Sequence, residues 1–149
     1  MNENPEERAK IVAERRAATG IDEALIETLV HRFYARVRED ELIGPVFAAH
    51  VTDWDAHLAR MCQFWSSVTL ASQRYHGQPM QKHRPLPIAA AHFDRWLELF
   101  RKTAREVCPP RAAEHFIERG ENIARSLEMG IAFSHGVTLG LNQRYEEAP

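Results

Sequence analysis

Apolar residues recur along the chain at spacings of three and four, between short clusters of Gly and Pro, which predicts packed helices rather than strands. Residues 5–18, rich in Glu, Arg and Ala with a thin apolar stripe, predict a charged, mostly solvated helix that ends near Gly20. Asp22 then caps a helix whose inner side carries Leu25, Ile26, Leu29, Val30, Phe33, Tyr34 and Val37, and the Gly44-Pro45 pair breaks a short turn ahead of Phe47. Thr52 followed by Asp55 resembles a capping box, with Asp in the place of the usual Glu or Gln. It opens a helix over about 53–71 whose buried stripe is Trp54, Leu58, Met61, Cys62, Trp65, Val68 and Thr69. A loop from Ser72 to Met80 leads to Gln81-Lys82-His83-Arg84, where about one turn of helix fits before Pro85 and Pro87. Helices over about 89–107 and 111–134, separated by Pro109-Pro110, close an all-α domain, and Tyr145 to Pro149 reads as a frayed tail. The parts are thus a charged helical extension at 1–20, a helical domain at 21–135 and a C-terminal tail at 136–149.

A chain of 149 residues suits one domain with a core large enough to bury a ligand. Its net charge of −2, with Lys and Arg spread among Asp and Glu, offers no basic stripe for phosphates, so nucleic acid is not an expected partner. The polar first residues lack the pattern of a signal or transit peptide and no stretch is apolar for the ~20 residues that span a bilayer, which makes a soluble cytoplasmic protein the expectation. Cys62 and Cys108 lie far apart without metal or disulfide spacing, and Cys62 falls on an apolar helix face.

A helical bundle with several histidines can hold a di-metal carboxylate site, a zinc site, a haem pocket or no site. Paired Glu-x-x-His and His-Glu-x-x-His are both absent, as are Gly-rich phosphate loops and Gly-x-Ser-x-Gly; catalysis by acid–base residues alone stays open. A haem needs one constrained imidazole, flat apolar walls and a few hydrogen-bonding groups on the far side. Proline-flanked His83 meets the first need and Phe47, Trp65, Phe93 and Trp96 the second, while His57 and Met61 share one helix face. The other histidines, 31, 50, 76, 92, 115 and 135, read as solvated or capping groups, with His92 or Arg84 placed to reach a haem propionate.

Phe33-Tyr34, Gly44-Pro45-x-Phe47, Trp54-x-x-His57, Phe64-Trp65, the run Tyr75-His76-Gly77-Gln78-Pro79-Met80-Gln81-Lys82-His83, Pro87 and Phe93-x-x-Trp96-Leu97-x-Leu99-Phe100 follow in an order that resembles group III of the truncated haemoglobins, over roughly residues 22–133. The resemblance implies a globin-like two-over-two helical sandwich around haem b. It makes His83 the iron's axial ligand, Phe47 a haem-packing residue, and Tyr34, His57, Met61 and Trp96 the distal wall. Trp65, Phe93 and Arg84 join Phe47 and Met61 as expected cofactor contacts. The expected function is binding of dioxygen, nitric oxide or carbon monoxide at ferrous iron by a monomer served by an unidentified reductase. A strongly donating pocket retains oxygen, which favours nitric oxide dioxygenation or peroxide chemistry over oxygen transport. The alternatives are a redox or gas sensor signalling to a partner, and a haem-free helical interaction module.

Overall fold

A computed structural model describes residues 4–146. Its described residues form seven helices: α1 Pro5–Thr19, α2 Glu23–Glu39, α3 Gly44–His50, α4 Trp54–Leu70, α5 Pro79–His83, α6 Ala90–Val107 and α7 Pro110–Ser134. None of them is long and apolar enough to cross a membrane.

Local chemistry sets most boundaries. The Asp22 carboxylate accepts the Leu25 N–H at 2.8 Å and starts α2, and Gly20 closes α1 in the left-handed region. Two expectations are corrected. The cap of α4 is Asp53, which stands directly before the first turn with an extended backbone and accepts the Ala56 N–H at 3.1 Å; Asp55 then lies where its charge favours the helix N-terminus. Gly44-Pro45 opens α3 instead of breaking it, since proline's missing N–H falls in the first turn, where no helical acceptor is lost.

α2 packs on α4 and α6, and α6 and α7 form an antiparallel pair that α4 also meets, so two helices lie over two. Phe33, Phe100 and Phe116 are fully buried at the centre, and Phe100 stacks with both Trp65 and Trp96 at 5.0 Å between centroids. A second apolar cluster joins Ile88, Ala89 and Phe93 to Ala124, Ile131 and Tyr145.

The ends of the chain are tied down more firmly than their polarity suggests. Although most of α1 is exposed, Arg8 donates to the Ala71 carbonyl at 2.6 Å and Arg111 of α7 donates to the Ala18 carbonyl at 3.1 Å. Tyr145, expected in a frayed tail, is 4% exposed. Its N–H donates to the buried Glu128 carboxylate at 2.8 Å and its carbonyl accepts the Ala90 N–H at 2.6 Å. The preceding Arg144 also meets Glu128, at 3.0 Å, so a partner 16 residues back decides this segment; residues 147–149 lie outside the described residues.

Candidate functional site

α5 is five residues long, begins at Pro79 and is followed by Pro85, so its last residue, His83, has little backbone freedom. His83 Nδ1 lies 2.6 Å from the Pro79 carbonyl. A carbonyl only accepts, so the proton sits on Nδ1 and the lone pair on Nε2, the tautomer a metal ligand needs. Burial pushes the imidazole below its ordinary pKa, which also favours the neutral ring. The helix is held against α7 at Gly130, where a Cβ would overlap the Met80 sulfur.

Across from it, α2, α3 and α4 bring Tyr34, Phe47 and His57 together. The Tyr34 ring meets His57 edge-to-face at 5.1 Å and Phe47 at 5.7 Å. Tyr34 is 4% exposed, and its hydroxyl makes no hydrogen bond to any described residue. Burial raises its phenol well above the ordinary value, so the O–H keeps its proton and remains a donor. His57 Nε2 is likewise buried without a hydrogen-bond partner. Its pKa is pushed down to about 4, by burial first and then by the charges of Arg60, His83 and Lys82. The charge of His83 thus reaches His57, yet among the described residues no Cα of α5 comes within 8 Å of α4, so the two histidine-bearing helices do not pack on each other and a gap is left between them.

The remaining expected residues are distributed around this centre. Met61, one turn beyond His57, is half-buried against the core. Trp96 is linked to Tyr34 through Phe33, whose ring lies 5.2 Å from the indole and 4.9 Å from the phenol. Trp65 sits within the aromatic core, and Phe93 lies in the second cluster, beside the segment that follows α5. Arg84 ends α5, exposed and without an ion-pair partner among the described residues. His92 is occupied otherwise: its Nδ1 accepts the Ala89 N–H at 3.0 Å, capping α6. Trp54, expected from sequence in the buried stripe and in the Trp54-x-x-His57 motif but not as a site residue, is a further neighbour. Trp54 meets His57 edge-to-face at 5.5 Å and stacks on Phe47 at 6.4 Å, with the Arg38 guanidinium 4.5 Å above its ring. Its spacing of three from His57 was the available signal. Cys62 and Cys108 stay outside the site, both thiols pushed up by burial, Cys108 to about 11.

No three His, Cys, Asp or Glu among the described residues gather as a ready ligand set, so a metal here must bring most of its own donors. A haem does so. The unpartnered His57 Nε2 and Tyr34 hydroxyl, the tied His83 and the gap between α4 and α5 fit that group.

The two-over-two helical sandwich with facing histidines defines a globin fold. A sequence model of bacterial-like globins matches residues 17–128. A group 3 truncated hemoglobin of Campylobacter jejuni is 31% identical over 109 residues, which are 70% of this chain and 86% of that protein. The crystal structure of a group III truncated hemoglobin from Campylobacter jejuni superposes with a TM-score of 0.68 at 31% identity, over 72% of this chain and 88% of the other. A thermostable hemoglobin from Thermobifida fusca shares the fold at 23% identity, with a TM-score of 0.63 over 76% of this chain and 94% of its own. The chain belongs to the bacterial-like globin family, among the group III truncated haemoglobins. Globins hold haem iron and bind small diatomic gases with it.

Proposed function

We propose that the chain would hold haem b through His83 Nε2, with Tyr34 as the main hydrogen-bond donor to a diatomic ligand of that haem. The observation that carries this reading is the pairing of Tyr34, whose hydroxyl has no protein acceptor among the described residues, with the ring of His57, whose Nε2 is buried without a partner. Bound haem supplies the iron centre that takes dioxygen, nitric oxide or carbon monoxide and exchanges electrons with it. The residues around it do the rest. Pro79 holds the His83 ring so that Nε2 points away from the backbone. Phe47, Met61, Trp65 and Phe93 supply the apolar surface. Tyr34, with the Trp96 N–H as second donor, polarises a ligand that gains negative charge, and His57 stands neutral beside it. Arg84 is the residue we assign to a propionate. A pocket with two donors retains dioxygen, and on that ground nitric oxide dioxygenation or peroxide reduction, rather than transport, is the proposed activity of a cytoplasmic monomer.

The test is direct. His83→Ala should lose tight haem retention while keeping much of its helical circular dichroism, with the ferrous spectrum restored by added imidazole. A variant whose Soret band and ferrous spectrum match the wild type without imidazole removes His83 from the ligand role.

A further inference from the structure

The even spread of charge expected from the sequence does not hold around the gap. Residues 56–93 contain four of the chain's 19 Lys and Arg and none of its 21 Asp and Glu, so this stretch carries +4 while the rest carries −6. It comprises α4 beyond its first turn, the loop, α5 and the start of α6, the elements that enclose the gap. Arg74 is paired with Glu23 of α2. Arg60, Lys82 and Arg84 are exposed and have no ion-pair partner among the described residues. Arg60 follows His57 by three residues and Lys82 precedes His83, and the charges of both reach His57, so these two cations come from the two sides of one opening, with Arg84 beside Lys82 on α5. Beside α5, Gly130 of α7 receives Met80, and its helix neighbours Met129 and Phe133 are 42% and 71% exposed. Exposed apolar side chains on the helix that α5 packs against, next to an α5 that carries unpaired cations, have the composition of a transient protein interface, with an apolar centre and a polar rim.

We propose that this face is the docking surface for an acidic one-electron carrier protein with a flavin or iron–sulfur centre, an inference that rests on the haem reading. Arg60 and Lys82 attract an acidic surface and orient it, Arg84 being assigned above to a propionate, and the apolar pair gives the encounter a contact to settle on. The carrier's redox centre is thereby brought to the edge of the gap between His57 and His83. One electron leaves the reduced carrier and enters ferric haem iron, which becomes ferrous; the carrier ends oxidised by one electron, and no covalent bond forms or breaks. An anionic bilayer is the other surface such charges attract, but two exposed apolar side chains on the flank of a long helix make a smaller insertion than the full apolar face of an interfacial helix.

The experiment mixes the ferric, haem-loaded protein with a reduced plant-type ferredoxin, an acidic iron–sulfur carrier, and follows haem reduction by stopped flow while a parallel titration measures Kd. Raising salt from about 10 mM to about 1 M shortens the screening length from about 30 Å to about 3 Å, and the reduction rate should fall tenfold or more, the scale of electrostatic steering. Arg60→Glu and Lys82→Glu should each slow reduction by about fivefold at low salt and raise Kd in parallel. Neither should change the Soret band or reduction by photoreduced neutral deazaflavin, and Lys10→Glu on α1 should behave as wild type. Phe133→Ser should weaken binding at both salt concentrations. The proposal is overturned if Arg60→Glu and Lys82→Glu leave rate and Kd within twofold of wild type, if Lys10→Glu slows reduction equally, or if the protein binds phosphatidylserine vesicles but not ferredoxin. Because Kd is read on haem-loaded and haem-free protein alike, loss of the haem reading would show in the spectra and not in the titration.

Discussion

At the scale of the residue, Tyr34 carries the sharpest consequence. Its hydroxyl keeps its proton and has no protein acceptor among the described residues, while its ring lies against those of His57, Phe47 and Phe33, so under the haem reading its hydrogen bond goes to a ligand. A hydrogen bond to a partly charged acceptor contributes about 1.5–3 kcal/mol, and each ~1.4 kcal/mol is tenfold in rate. Tyr34→Phe should therefore speed dioxygen dissociation from the haem-loaded protein on the order of ten- to a hundredfold. Carbon monoxide, which gains little charge, should respond far less, and this contrast separates hydrogen bonding from pocket size. Trp96→Phe should have a smaller effect, because its indole approaches the phenol only through Phe33, and the double variant should exceed the sum of the two. An off-rate within about twofold of wild type, in both backgrounds, would remove the hydroxyl from the distal role.

At the scale of the element, the site depends on a short helix braced from several sides. α5 is too short to be stable alone and takes its position from the flanking prolines and from Met80 seated on Gly130 of α7. Behind it, the C-terminal segment fastens the start of α6 through the Ala90 N–H to Tyr145 carbonyl bond, while Arg125 donates to the carbonyls of Gly140, Leu141 and Gln143. The centre of this strap is the Glu128 carboxylate, 2% exposed, held by Arg144 and the Tyr145 N–H. Removing one partner of a buried ion pair leaves the other charge uncompensated, at a cost of about 3–5 kcal/mol. Arg144 is partly exposed and the Tyr145 N–H remains, so urea unfolding of Arg144→Ala should show the lower end of that range, about 3 kcal/mol. Glu128→Gln, Arg144→Ala should recover part of it. A loss below about 0.5 kcal/mol would make the strap a passive tail.

At the scale of the whole molecule, acid response follows from the charged groups that join the layers. Asp40 ends α2, accepts the N–H groups of Leu42 and Ile43 at 3.0 Å each, and meets Arg95 of α6 at 2.6 Å. Burial pushes its carboxyl up, but the bonds from Ile43, Arg95 and Leu42 outweigh burial and hold it below the usual carboxylate range. Its contribution is thus complete above the unfolded pKa of about 3.9 and is lost as pH falls through the lower folded value. Asp40→Asn should cost about 1–3 kcal/mol at pH 7, and the gap from wild type should close as urea titrations move below about pH 4. A gap that persists at acid pH would assign the effect to shape rather than charge.

The sequence by itself determined the helical class, the approximate extent of each long helix and the proline-bounded setting of His83, because periodicity, caps and breakers act over a few residues. The capping aspartate before α2, the closure at Gly20 and the inward face of α2 with Phe33 and Tyr34 are all of this local kind. Only the tertiary structure decided what required two distant segments. It placed the Tyr34 ring of α2 against His57 of α4 and Phe47 of α3. It also buried Tyr145 through Glu128 and gathered the acid-free stretch around one opening. In each case the deciding quantity, the burial or pairing of a polar group, depends on which helix packs opposite, and three-residue spacings carry no information about that.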